Sequence, residues 1–210
     1  MEISYTNLYN KIISKEQVNG LDDYTMIYTQ LGSVKMKENF DSGELYYIQY
    51  YKGTDETDQL IIDKFRDGQI DYSIIVKTNV GNFIIENVRE YFSDVLKGEF
   101  NHVYNNFEKK IGSEEIDLIA NLPIYRETQK HYYDDSYDDF FPIMSAYYNE
   151  DRSLDYAEYN SFNPGAGYPE SFYLNDPDGN DFDSLCTFLN FTSAQTKYYK
   201  TANINPSILV

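Results

Sequence analysis

Apolar and polar positions change their spacing several times along this chain. Across residues 22–34, Tyr24, Met26 and Tyr28 alternate with Thr25, Ile27 and Thr29, which is the period of two of a half-buried strand. A turn at Asp41-Ser42-Gly43 leads into residues 45–52, rich in Tyr and Ile. Residues 60–65 and 69–78 flank Arg66-Asp67-Gly68. An Asp-Gly pair between two β-prone runs predicts a hairpin, because Gly tolerates positive φ. Ahead of these strands, residues 4–14 would place Leu8, Ile12 and Ile13 on one face of a short amphipathic helix.

From Asn82 the period lengthens. Ile84, Val88, Tyr91, Phe92 and Val95 fall at helical spacing, with Gly98 where a C-terminal cap would sit. Phe100, Val103, Tyr104, Phe107 and Ile111 repeat the pattern up to Gly112, and Ser113 would cap a third helix ending at Leu122, before Pro123. Strands followed by helices predict an α+β fold, an antiparallel β-meander with an N-terminal helix and following helices, rather than a βαβ parallel sheet. From His131 onward, Pro142, Asn163-Pro164-Gly165, Pro169 and Asp176-Pro177-Asp178-Gly179 break the chain into short strands and loops. The expected organisation is an α+β domain over residues 1–125 and an acidic, Tyr-rich C-terminal subdomain over residues 126–210, or one continuous domain.

Composition narrows the class of partner. A chain of 210 residues can bury a hydrophobic core without covalent staples. The lone Cys186 leaves no internal disulfide and no multi-cysteine zinc site, and its expected role is packing. Residues 1–15 have no basic flank followed by an apolar run, so no secretory signal is expected. No stretch approaches the roughly 20 apolar residues of a membrane-spanning helix, and a net charge of −18 is repelled by anionic lipid, so no membrane partner is expected. Frequent Asn, Ile, Lys and Tyr fit an AT-rich coding sequence, as in a low-GC bacterium or its phages. The expected location is cytoplasmic.

Charge is the strongest constraint. Thirty-five acidic residues oppose 17 basic ones, and along the sequence only Lys109-Lys110 forms a basic pair. Direct nucleic-acid binding, which needs a basic patch, is therefore not expected. The natural partner is a basic protein surface. Residues 131–196 hold 13 acidic residues against one basic residue, Arg152, together with nine tyrosines and seven phenylalanines. That aromatic content predicts a folded region rather than an acidic tail.

The densest segment runs Tyr132-Tyr133-Asp134-Asp135-Ser136-Tyr137-Asp138-Asp139-Phe140-Phe141. In a helix, Asp134, Asp135, Asp138 and Asp139 would form one acidic row. Carboxylates in a rigid row can occupy the phosphate-binding places of a DNA-binding protein, while tyrosines contribute stacking and cation–π contacts with its arginines. The expected contact set is Tyr132, Tyr133, Asp134, Asp135, Tyr137, Asp138 and Asp139, joined by Asp151, Asp155 and Glu158. The function this implies is stoichiometric inhibition of a basic nucleic-acid-handling protein, a nuclease or defence effector, of the phage anti-defence, anti-CRISPR-like or toxin-immunity type. Acidity that only solvates a structural or assembly protein is the plainer alternative.

A second alternative is a metal-dependent enzyme using C-terminal carboxylates, with Asp176, Asp178 and Asp183 as candidate ligands. Counted from Asp176, the sixth and twelfth places of an EF-hand loop hold Asp181 and Thr187 rather than Gly and Glu, so that loop is excluded. Asp176-Pro177-Asp178-Gly179-Asn180 followed by Asp183 resembles the C-terminal hairpin of the vicinal-oxygen-chelate enzymes, where such a turn leads into a strand with a metal-binding Glu. The resemblance puts Asp183 at that place. It covers about ten residues, has Asp for Glu and lacks the repeated βαββ modules with their histidine ligand, and turn chemistry alone accounts for such a string. His102 lies in an aromatic stripe, where packing is its expected role, and His131 precedes Asp134-Asp135. Walker, nucleophile-elbow, dinucleotide-binding, C-x-x-C and H-E-x-x-H patterns are missing from the sequence, so neither a cofactor nor an enzymatic activity is expected.

Overall fold

β-branched and aromatic residues dominate most segments, and the computed structural model of the chain is accordingly a mixed α+β protein of mostly antiparallel sheet with few helices. It describes residues 1–66, 68, 70–133, 142–162, 169–174 and 180–210, and only the backbone of residues 161, 162, 169–174 and 180. Two compact units are delineated: Met1–Lys77 with Asn87–Glu99, and Thr78–Glu86 with Phe100–Val210. The divide expected near residue 125 falls inside a strand, Leu122–Tyr132.

The first unit contains β1 (Glu2–Thr6), β2 (Ile12–Ile13), α1 (Lys15–Val18), β3 (Tyr24–Gln30), β4 (Ser33–Asp41), β5 (Glu44–Tyr51), α2 (Asp58–Phe65) and most of β6 (Asp71–Val80). The strand order is β2-β1-β3-β4-β5-β6. Two expectations are overturned here. Residues 4–14 are not a helix: the Asn7 side chain accepts from the backbone N–H groups of Tyr9 and Lys11, and Asn10 takes φ 56°. This side-chain-driven turn folds β2 back onto β1. Residues 60–65 are helical rather than extended. Thr57 caps α2 by accepting from the Leu60 N–H at 3.3 Å, and the helix carries the chain between β5 and β6, which pair in parallel from Tyr47↔Asp71 to Tyr51↔Ile75. A parallel pair cannot be closed by a tight turn and needs such a crossover. The unit's core gathers Ile48, Tyr50, Ile61, Tyr72, Ile74 and Tyr91, with Tyr72 and Tyr91 stacked at 5.1 Å.

The helices predicted across residues 82–122 are also strands. β7 (Phe83–Phe92), β8 (Val95–Tyr104) and β9 (Lys110–Asp117) occupy that span. Ile84, Ile85, Val88 and Val95 are β-branched and fit a pleated surface better than a helix. Ser93 and Asp94, at φ 47° and 64°, form the turn between β7 and β8, so positions at helical spacing in the sequence lie on two different strands. Gly98 and Gly112 sit inside strands rather than at helix ends.

The second unit adds β10 (Leu122–Tyr132), β11 (Met144–Tyr148), β12 (Leu154–Phe162), β13 (Pro169–Leu174), α3 (Asn180–Phe188), α4 (Ser193–Tyr199) and a 3-10 turn, Pro206–Leu209. From β8 to β13 each strand pairs antiparallel with the next. The C-terminal region thus contains two helices besides the expected short strands. One sheet face, carrying Met144, Ala146, Tyr148 and Ala157, packs on Phe182, Leu185, Cys186, Tyr198, Tyr199 and Ala202 of the helical segment. Among the described residues no helix is long and apolar enough to cross a membrane.

Candidate functional site

Alternation along a strand assigns the side chains of the second unit to two faces. The face packed on α3 and α4 is organised around Lys130, whose side chain is fully buried. Its ammonium donates to the carbonyls of Tyr198, Thr201 (2.7 Å) and Asn203 (2.6 Å). Its three donors thus meet three orphan carbonyls at and beyond the end of α4, where a cation is also favoured by the helix dipole. The Tyr198 ring lies 3.7 Å from the same ammonium. Burial pulls Lys130 down to about 7, and the buried Glu114 pulls it back up. Nearby, the Tyr148 hydroxyl donates to the Tyr199 carbonyl at 2.7 Å, Tyr198 to Ile204 at 3.1 Å and Tyr199 to His131 at 3.0 Å. Buried polar groups thereby tie the C-terminal segment to the sheet.

The opposite face is different in kind. The registers bring together Phe100, His102, Ser113, Glu115, Gln129, His131, Ser145, Tyr147, Tyr156 and Glu158. All are half-exposed except the buried Ser145. Tyr147 and Tyr156 stack at 4.4 Å, and the Tyr147 hydroxyl donates to Glu158 Oε2 at 3.4 Å. His131 Nδ1 lies 2.9 Å from Ser145 Oγ. Burial, with Lys110 close by, lowers His131 to about 4, so the ring is neutral near pH 7. Burial also lowers His102, against the pull of Glu86, and His102 Nδ1 finds no hydrogen-bond partner among the described residues. Burial followed by Glu86 pushes Tyr104 up to about 12. This face therefore presents tyrosines, two neutral imidazoles and the carboxylates of Glu86, Glu115 and Glu158.

The residues singled out from the sequence are distributed unevenly. Asp134, Asp135, Tyr137, Asp138 and Asp139 lie outside the described residues, as do Asp176 and Asp178. Tyr132 packs edge-on against Phe191 at 4.6 Å and Tyr199 at 6.4 Å. Tyr133 is packed near Val103, Ile111 and Ile204, with the Lys109 ammonium 5.2 Å from its ring. Asp151 is exposed at the turn after β11, where the Ser153 hydroxyl and N–H hold its carboxyl below the usual range. Asp155 is exposed on β12, and Glu158 belongs to the tyrosine face. Asp183, assigned to a strand by the hairpin resemblance, lies on helix α3 and pairs with Lys200 at 2.6 Å. Among the described residues there is no group of three or more His, Cys, Asp or Glu side chains suited to a metal. The tyrosine–histidine face was missed in part because its β8 and β9 residues were assigned to helices. Read as strands, Phe100, His102 and Tyr104 alternate onto one side.

The first unit contains a feature that linear order concealed. Tyr50 and Tyr51 point to opposite faces of β5, and each ring collects two lysines. Lys35 and Lys64 lie 4.7 and 4.8 Å from the Tyr50 ring, and Lys77 and Lys37 lie 4.6 and 5.9 Å from the Tyr51 ring. Lys35 also pairs with Glu56 at 2.5 Å. Lys52 and Arg89 both pair with Asp58. Burial would raise Glu56, but hydrogen bonds from Lys35, Tyr50 and the Gly53 N–H outweigh it and bring the carboxyl to about 2. Basic residues scattered over residues 35–89 are thus gathered by the fold, contrary to the expectation that only Lys109-Lys110 would be neighbours.

Compared with known proteins, the chain matches no family model, no curated protein sequence and no solved structure.

Proposed function

We propose that the protein is a stoichiometric inhibitor that binds a basic, nucleic-acid-handling protein through its second unit. The observation that carries this reading is one sheet face of the second unit, which presents half-exposed tyrosines beside Glu86, Glu115 and Glu158. Both units are acidic: Thr78–Glu86 and Phe100–Val210 hold 19 acidic residues against seven basic ones, a net −12, and the other unit holds 16 against ten, a net −6. Tyrosine offers rigid, amphipathic contact area at low entropic cost, and carboxylates between the rings complement Arg and Lys. The Asp134 to Asp139 carboxylates, with Asp151 and Asp155, extend the same chemistry in the sequence. The mechanism is occlusion of a phosphate-binding surface, with no bond made or broken. An alternative with the same charge is an assembly component whose acidity only solvates it.

The test has two stages. Protein retained from native host lysate by the wild type is compared with that retained by a Glu86→Gln, Glu115→Gln, Glu158→Gln variant. The retained protein is then assayed for nucleic-acid binding while the inhibitor is titrated in. Loss of binding at one equivalent, with little effect of the variant, is the expected result. Retained protein that still binds nucleic acid under excess inhibitor would overturn the reading.

A further inference from the structure

Strand β3 is patterned as if one of its faces were to be buried. Tyr24, Met26 and Tyr28 share a side with Phe40, Glu38 and Met36 of β4, which they pair in that order. The other side carries Thr25 opposite Asn39 and Ile27 opposite Lys37. Such alternation belongs to a sheet with one face on a core and one in water. Yet no residue of β3 or β4 is buried, and of the residues on the apolar side only Met36 packs at the edge of the unit's core. Tyr5 and the exposed Ile3 extend the same side onto β1. On β5 the next pair in register, Ile48 and Tyr50 beside Glu38 and Met36, is buried with Ile61 of α2. A sheet face is completed by a second layer. Among the described residues, α2 supplies that layer at β5 and the core stops there.

Charge indicates what would complete it. The Glu38 carboxylate stands at the middle of β4, accepts from the Tyr28 hydroxyl at 2.8 Å, and has no cation partner among the described residues. Asp23, Asp41 and Glu44 lie at the Tyr24–Phe40 end, where the Ser42 N–H donates to Asp23 and Asp41 pairs with Glu44 in register. On the α2 side, Lys35 is held by Glu56 at 2.5 Å. An aromatic and apolar face with a carboxylate at its middle complements a cation carried among apolar side chains. The α2 helix packs in this way, with Ile61 on the sheet and the Lys64 ammonium 4.8 Å from the Tyr50 ring. A second copy fits poorly. Face to face it would set Glu38 against an identical face without a cation. Of its helices among the described residues, α3 has no Lys or Arg, and α2 and α4 already pack in their own cores. We infer that the β3–β4 face docks an amphipathic helix of a partner protein, one whose apolar stripe carries a Lys or Arg opposite Glu38. This surface belongs to the other unit from the proposed inhibitory face, and its partner need not handle nucleic acid.

Fluorescence anisotropy of the full chain with labelled synthetic helices of about 16 residues tests it. The helices share a stripe of Leu and Ala and differ only at its centre, which is Arg, Leu or Glu. The Arg helix should bind in the micromolar range and the other two about tenfold or more weakly. Glu38→Gln should weaken the Arg helix about tenfold and leave the Leu helix unchanged. Glu2→Gln, which removes the same charge from the opposite side of β1, should change neither. Met26→Lys, directly across from Glu38, should abolish binding of the Arg helix, and thermal melts establish that each variant is folded. The Glu86→Gln, Glu115→Gln, Glu158→Gln variant should bind the Arg helix like the wild type, which keeps a failure here distinct from a failure of the inhibitor reading. The docking surface is ruled out if no helix binds, if the Arg and Glu helices bind alike, or if Glu2→Gln weakens binding as much as Glu38→Gln. Sedimentation of the free chain should show a monomer. A dimer that Met26→Lys dissociates would assign the face to a second copy instead.

Discussion

Lys130 shows how much of this fold depends on single side chains. Its ammonium serves three carbonyls that follow or end α4, one buried at Tyr198 and two part-buried at Thr201 and Asn203, and removing it would leave them without this donor. Replacement by Met, similar in length and apolar, should therefore destabilise the protein by about 3 kcal/mol or more, measured as a loss of urea midpoint at unchanged slope. His131 gives a pH dependence with a defined sign. Its folded value is about 4 because burial disfavours the imidazolium, against 6.5 for the free side chain. Between those values the unfolded chain holds a proton that the folded chain does not. Stability is therefore lost as pH falls through 6.5 toward 4, by up to about 3 kcal/mol, and His102, lowered by burial, acts in the same direction. Urea titrations at pH 7 and pH 5 should show a smaller drop for His131→Asn than for the wild type. In the two-residue turn between β3 and β4, where Leu31 takes φ 52°, Leu31→Asn should raise stability by about 1 kcal/mol, since Asn tolerates positive φ, read as a higher urea midpoint.

At the scale of elements, the crossover from β5 through α2 to β6 organises the first unit. Thr57→Ala removes the N-cap of α2 and should cost about 1 kcal/mol, with the loss followed by hydrogen exchange in the helix and in the Lys52 amide, which donates to Ile75 at 2.9 Å. How far such elements were legible depended on which signal their residues carried. β5 was visible because Leu45 to Tyr51 is a continuous β-prone run bounded by Ser42-Gly43, whose positive φ values suit a tight turn. α2 was misread because Leu60, Ile61 and Ile62 look like a strand in isolation. Only the Thr57 cap and the parallel pairing it serves distinguish it. The Ser93-Asp94 turn was overlooked for the opposite reason. Neither residue is Gly or Asn, yet both take positive φ, and without that turn Ile84 to Val95 mimics a helical stripe. The tyrosine–histidine face followed the same fate, since its alternation exists only once β8 and β9 are strands. The lysine cluster was illegible on principle, because Lys35, Lys52 and Lys77 meet only through tertiary pairing.

For the whole molecule, the acidic residues are shared by both units, 19 against seven basic in the second and 16 against ten in the first. The field of the whole chain therefore raises the encounter rate of a basic partner, while the tyrosine face selects where that partner docks. The two properties separate experimentally. Screening acts on the long-range field, since the Debye length falls from roughly 30 Å at 0.01 M salt to about 8 Å at 0.15 M. Short-range stacking of Tyr147 and Tyr156 on a partner is much less sensitive. Stopped-flow association with the retained basic protein should therefore slow about tenfold or more over that range of salt, while dissociation changes little. The Glu86, Glu115, Glu158 variant should shift the association rate and its salt slope, and Tyr147→Ala should instead speed dissociation. An association rate that ignores salt would mean that the acidic residues only solvate the surface, and that whatever partner the tyrosine face has is not selected by its charge.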